Sequence, residues 1–230
     1  LVGSEMCIRD STYRIVERSE ALEKLAQIRR RDLVALAAEL GVPLLGASGK
    51  KNKGWAGHVF ERYLGLPLNS SRAPNFGSWE LKSVSLKVNR RGKLQVKETV
   101  ALTMLDPVEV AAKEFEESHL YTKLRKQVLV VRVWENQAET RSLYLGAYPF
   151  DLDDHSLMAG IRADYDRIRS AILAREPLSG KMGQYIQPRT KGAGSTAPKT
   201  RAFYARTGLV AQLIDPEELN REFAEIAGKK

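Results

Sequence analysis

Residues 127–134 read QVLVVRVW, a nearly continuous apolar run of strand-forming residues. A strand of this kind shows no alternation between a wet and a dry side, so it is buried on both faces. Its sheet must carry other elements on both sides. A buried strand of this kind fits a layered α/β architecture.

The flanking segments supply the cover. Leu22, Leu25 and Ile28 recur at helical spacing and predict a helix over 17–28. Asp32 is placed to cap a second helix, 33–40, which Gly41 ends and Pro43 follows. A third helix, 54–64, has Trp55, Val59 and Tyr63 on one stripe, with Gly54, Gly57, His58 and Glu61 opposite. Residues 46–53 and 66–75 are turn-rich. Alternation predicts a strand over 78–88, turned by Arg90-Arg91-Gly92 into a second over 94–104.

Residues 108–126 read as one helix, or two broken near Ser118. Another strand is expected at 141–148, and a long helix at 155–174 capped by Asp153. Residues 183–202 read as mostly loop, with GAGSTAP at 192–198, followed by a short strand at 202–206 and a helix at 208–227. The order predicts an α/β fold with a mixed β-sheet flanked by helices. Residues 1–11 share no apolar periodicity with the helix at 17–28. They are expected to be a non-native or disordered edge, leaving 12–230 as a single domain.

Composition narrows the partners. There is no run of 18 apolar residues, so no transmembrane helix and no membrane partner is expected. One cysteine and three dispersed histidines cannot build the usual structural zinc sites, and a reduced, cytoplasmic setting is the natural reading. Thirty-seven Lys and Arg against twenty-eight Asp and Glu give a net charge of +9. The excess is clustered: Lys87 to Lys97 holds five basic residues and no acid, and Lys181 to Arg206 holds six and no acid. Clustered positive charge suits a polyanion, most often nucleic acid.

Candidate chemistry lies in PNFGSWELK, residues 74–82. On a strand, Glu80 and Lys82 share a face about 6.6 Å apart along the chain, with Leu81 on the other. A carboxylate and an amine side by side, with an oxygen donor such as Asn75 upstream, can hold a divalent cation and position a water. The same two residues also read as an ordinary solvated charge pair, and Glu61 as an ordinary exposed helical acid.

Taken together, the motifs resemble a known family. Lys53-Gly54-Trp55, Gly57, Glu61 and Leu64-Gly65, followed by Glu80-Leu81-Lys82, resemble the MutH family of methyl-directed mismatch-repair endonucleases, whose relatives include type II restriction enzymes that cut at GATC. Ser118-His119 with Lys123-Leu124, the segment Gly183 to Lys191, and Phe203-Tyr204 extend the likeness. Order and spacing agree from about Arg18 to Ile214.

The resemblance implies a PD-(D/E)xK nuclease core that cuts or nicks double-stranded DNA with Mg²⁺, in repair or restriction, with MutL-type mismatch-repair proteins as partners. It implies Glu80 as the metal-binding carboxylate, Lys82 as the catalytic lysine and Glu61 as an accessory acid. Lys123 falls on a basic residue near the DNA at the active site. Arg189, Lys191 and Tyr204 fall in DNA-gripping segments, with Tyr204 matching a tyrosine implicated in reading adenine methylation. Asn75 stands where the family has Asp, and its gap to Glu80 is shorter than in the mismatch-repair members. It is expected to be a catalytic-site metal ligand through its carbonyl oxygen, with lower metal affinity than Asp. The alternative is a DNA-binding module of the same fold whose catalysis is weakened or lost.

Overall fold

The computed structural model describes residues 16–46, 48–65, 78–153, 156–191 and 200–228. Residues 1–11, Asn75 and the 192–198 segment lie outside them. The apolar run forms β4 (Lys126–Val133), at the centre of a four-stranded mixed sheet. Its neighbours are β1 (Glu80–Val88), parallel to it, and β5 (Tyr144–Asp151), antiparallel; β2 (Leu94–Val96) pairs with the far end of β1.

Both faces of β4 are covered, as its composition requires. Val128 and Val130 pack with Leu81 and Tyr144 against α1 (Arg18–Gln27), α2 (Leu33–Glu39) and α3 (Trp55–Tyr63). Leu129, Val131 and Val133 pack on the opposite side with Val84 and Leu86. That second layer contains α4 (Pro107–Ala112), α5 (His119–Leu124), α6 (Met158–Leu173), α7 (Thr207–Leu213) and α8 (Pro216–Ala227). It also holds a three-stranded antiparallel sheet of β3 (Val100–Leu105), β7 (Arg201–Ala205) and β6 (Ile186–Thr190). Fully burying a valine of this kind stabilises by about 1.5–3 kcal/mol, so the central strand alone anchors both layers. The expected α/β fold with a mixed sheet flanked by helices is therefore observed.

Several elements differ from the sequence expectation. The strand expected over 94–104 divides into β2 and β3, which belong to different sheets. The 108–126 region takes the broken of its two expected forms, α4 and α5 divided near Ser118 by a 3₁₀ turn at Phe115–Glu117. Ser118 caps α5 by accepting from the Tyr121 N–H at 3.1 Å. Asp153 does not cap α6; its carboxylate accepts from the Tyr121 hydroxyl and from Arg125 Nε. The helix expected at 208–227 is two helices, because Asp215-Pro216 starts a new one, with Asp215 accepting from the Glu217 and Glu218 N–H groups.

The largest correction is β6, within a stretch expected to be loop. Pro188 lacks a donor and masks the pattern, but β6 is an edge strand, where proline is tolerated. One buried carboxylate sets its entry: Asp164 on α6 accepts from the N–H groups of Gln184, Tyr185 and Ile186 at 2.6–2.9 Å. Gly183 makes the turn at φ +77°, and a Cβ there would collide with the Ile186 carbonyl oxygen. We expect Asp164→Ala, which strands three N–H donors, to lower stability by about 3 kcal/mol. Urea unfolding checks this; a loss below about 1 kcal/mol would mean that the turn holds itself.

Candidate active site

The site is built on the N-terminal half of β1. Strand β2 pairs only with Leu86–Val88, so among the described residues no strand pairs with 80–84 on that side. Strand alternation sends Leu81 toward the α1–α3 layer and Glu80 and Lys82 toward α5. The parallel register with β4 agrees: Leu81 aligns with Val128 and Lys82 with Leu129, which belong to opposite cores.

Glu80 is only 2% exposed, and its two oxygens have separate cationic partners. Oε1 accepts from Lys82 Nζ at 2.7 Å, and Oε2 from Lys123 Nζ at 2.9 Å. Lys123 is itself 6% exposed. It is delivered by α5, whose end is tied down where Gln127 Nε2 donates to the Lys123 carbonyl at 2.8 Å. The ordinary solvated pair weighed for Glu80 and Lys82 does not describe a carboxylate this buried.

Beside the free edge of β1 opens a cleft of about 570 Å³. One wall is the sparsely covered face of α3, with Gly54, Gly57, His58 and Glu61, plus Lys53 just before the helix. Lys82, Ser83 and Ser85 line the floor; Thr99, Val100 and Lys191 line the other wall. The structure thus brings Glu61, Lys82 and Lys191 to one cleft, with Glu80 and Lys123 directly behind Lys82. Opposite the cleft, Trp55, Val59 and Phe60 are buried under α3, and Phe60 packs on Tyr144 with ring centroids 4.9 Å apart.

Arg189 and Tyr204 form a unit next to that second wall. The guanidinium lies 5.3 Å from the Tyr204 ring centroid, and its Nη1 donates to Thr99 Oγ1 at 2.6 Å. Lys191 Nζ approaches Met104 Sδ at 3.5 Å. Strand β6 carries both basic residues and pairs with β7, with Gln187 opposite Tyr204. Thr99 was not among the expected residues; a lone threonine between two strands carries no sequence signal.

A buried polar cluster lies beneath the α3 wall, also unforeseen. Glu139, in the β4–β5 connection, accepts from Arg132 Nη1 at 2.7 Å and from Trp55 Nε1 at 3.1 Å. Lys51 Nζ lies 2.5 Å from the same carboxylate. The Arg132 guanidinium stands 5.1 Å over the Trp55 ring and also donates to Ser142 Oγ at 3.0 Å. Burial alone would push the Glu139 carboxyl up, but hydrogen bonds from Lys51 and Arg132 outweigh it and hold it below the usual range.

Among the described residues no group of three or more His, Cys, Asp or Glu side chains gathers at one point. The donor set still suits Mg²⁺, which is commonly held by one or two carboxylates, substrate phosphate and retained water. Glu80 and Glu61 are hard oxygen donors of that type.

A mixed sheet sandwiched by helices, with an acid and a lysine two residues apart on a free-edged strand, is the restriction-endonuclease-like arrangement. Residues 64–153 match the family described as DNA mismatch repair enzyme MutH. The DNA mismatch repair protein MutH of Haemophilus influenzae strain 86-028NP is 26% identical over 70% of this chain and 72% of its own length. Those of Vibrio campbellii and Vibrio cholerae strain O395 are 23% and 25% identical, covering 89% and 85% of this chain and 96% and 94% of theirs. The chain is thus similar to the MutH mismatch-repair proteins, over residues 64–153 by the family match and over most of its length by these relatives.

The Glu139 cluster has a pH signature. A carboxyl whose pKa is depressed on folding stabilises above its unfolded value, near 4.3, and that contribution is lost as pH falls through the folded value. We expect Glu139→Gln to lower the melting temperature at pH 7, and the gap from the native chain to narrow below about pH 4. Equal gaps at about pH 7 and about pH 3.5 in thermal melts would contradict the assignment of the ion pairs.

Proposed function

We propose that residues 12–230 form one endonuclease domain, acting in the cytoplasm, that nicks or cuts double-stranded DNA at a short specific sequence with Mg²⁺. The observation that carries this reading is the buried Glu80 carboxylate, gripped by Lys82 and Lys123 at the edge of a cleft with basic walls. A buried acid gripped by amines beside an open cleft is an arrangement that catalytic sites use to position charge.

In this reading Glu80 holds the metal, with Asn75 as the second oxygen donor of the motif and Glu61 contributing from α3. Bound Mg²⁺ would supply Lewis-acid stabilisation of the phosphate charge. Lys82, within hydrogen-bond reach of Glu80, orients the attacking water and helps remove its proton. Lys123 fixes the second Glu80 oxygen and adds positive charge behind the scissile phosphate. Arg189 and Lys191 grip the DNA backbone from the far wall, and Tyr204, stacked under Arg189, contributes to reading adenine methylation. MutL-type mismatch-repair proteins are the partners this role requires. Asn75 supplies a neutral donor where an Asp would supply charge, so metal affinity rests more heavily on Glu80 and Glu61.

Supercoiled plasmid with Mg²⁺ tests the chemistry. We expect nicking or linearisation that Glu80→Ala abolishes, and that Lys82→Ala reduces by about 10²-fold or more, the range of a lost general-base contribution. Wild-type rates for both variants would reject the site. Binding without cutting by the native chain would instead favour the non-catalytic module.

The DNA surface is tested separately by fluorescence anisotropy on a duplex across a salt series. Each phosphate contact contributes about −0.9 to the slope of log K against log salt. Arg189→Ala and Lys191→Ala should each flatten the slope by about one. Unchanged slopes in both variants would remove β6 from the interface.

A further inference from the structure

The two halves of the cleft have different supports. Glu80, Lys82 and Lys123 stand on the sheet and α5, whereas Lys53 and Glu61 stand on α3 and the turn before it. The separation of the halves depends on how α3 is pinned to the sheet. Apolar packing under Val59 and Phe60 holds the middle of the helix but is non-directional. Directional contacts cluster at its first turn, on Glu139; at its last residue the Tyr63 hydroxyl donates to the Lys24 carbonyl of α1 at 3.2 Å, which ties the helix end to α1 rather than to the sheet.

We propose that Glu139 is a positioning residue of the nuclease: it sets the depth and rotation of α3, and thereby the place of Glu61 and Lys53 opposite Glu80 and Lys82. The proposal rests on the endonuclease reading above. Glu139 is 4% exposed and holds a left-handed backbone conformation, φ 45°. Its own N–H donates to Asn136 Oδ1 at 3.0 Å, so the loop is braced around it. From that seat it takes one contact from each element that has to be registered. Arg132 comes from β4, Trp55 from the first turn of α3, and Lys51 from the turn before α3.

Lys51 is further tied to the same loop, donating to the Gln137 carbonyl at 2.9 Å, and its turn is closed by a bridge between Leu45 and Lys51. Arg132 is also held by Ser142, whose N–H donates to Asp32, the cap of α2, at 2.8 Å. Arg132 lines the cleft floor and stacks on Trp55, so the cluster runs continuously from cleft to loop. Hydrogen bonds are short-ranged and angular, which suits them to fix a helix rotation that packing alone leaves soft. Glu139 does not reach the cleft; it acts through α3.

The test is a double-mutant cycle with Glu61, read by single-turnover nicking of supercoiled plasmid in Mg²⁺ and by thermal melting. Displacing catalytic groups by about 1 Å can cost about a hundredfold in rate. We expect Glu139→Gln to slow the single-turnover rate by roughly tenfold to a hundredfold, with the plasmid concentration at half-maximal rate changing by less than about twofold. In the Glu61→Gln background the same change should slow cutting further by less than about threefold, because the element it positions has already lost its acid.

Lys51→Met provides a milder variant should Glu139→Gln fail to fold. It removes the partly exposed partner and leaves the Arg132 and Trp55 contacts in place. The expected result is a smaller loss of rate, again absent in the Glu61→Gln background. Effects of Glu139 and Glu61 that multiply, or a lower melting temperature with unchanged cutting rate, would overturn the proposal while leaving the nuclease reading intact. An inert native chain, or a Glu61→Gln variant with native rate, would take down the catalytic role of Glu61 and this proposal together.

Discussion

A carboxylate removed from water has to be paired, because desolvating an ion costs several kcal/mol even after the protein relaxes around it. Glu80 meets that requirement with two lysines from two elements, Lys82 on its own strand and Lys123 on α5. The pairing seats α5 against the N-terminal half of β1 and removes freedom from all three side chains. It also sets the charge of the triad itself, one acid against two ammonium groups. A buried pair stabilises only weakly compared with apolar packing, so this triad is poorly explained as a stability device. On the nuclease reading, its arrangement is a prepared electrostatic environment for a phosphate.

The sheet's alternation divides labour around that triad. Even-numbered positions of β1 carry Glu80 and Lys82 toward α5 and then Val84 and Leu86 into the larger core. Odd-numbered positions carry Leu81 into the α1–α3 core and Ser83 and Ser85 to the cleft floor. One strand therefore anchors both layers and carries the acid–lysine pair along its free edge. A cavity at this edge is accessible from the side rather than through a face, both of which helices and the second sheet occupy.

Much of this was legible in residue order. The 127–134 run demanded a central strand, the 54–64 stripe separated a buried face from an open one, and the spacing of Glu80 and Lys82 put them on one side. Elements were missed where a local signal was overridden by something distant. Pro188 disguised β6 because its edge position and its Asp164 anchor are set by α6, a separate element earlier in the chain. Asp153 has the chemistry of a helix cap, but Tyr121 and Arg125 at the α5 end claim its carboxylate. The split between β2 and β3 turns on which sheet each edge meets, and no periodicity records that. Glu139 was unreadable for the same reason: its three partners come from three segments, and a glutamate in a polar loop looks solvated. By contrast, the break at Asp215-Pro216 was available in the sequence, since a capping acid followed by proline is a start signal in its own right.

The charge pattern carries the last step. Lys53, Lys82, Arg132 and Lys191 line the cleft, against Glu61 and Glu98 as its acids. A basic cleft attracts a phosphate backbone but repels a free divalent cation. Glu80 already shares its charge with Lys82 and Lys123, so a metal it held would compete with both lysines. On the nuclease reading, the missing negative charge has to come from the DNA. A phosphate oxygen entering between Glu61 and Lys82 would supply a ligand and weaken the hold of the lysines on Glu80 at the same time. Magnesium sites of one or two carboxylates are completed by substrate phosphate in this way. On the same reading, a neutral donor at Asn75 would leave metal binding coupled to the presence of the substrate rather than independent of it.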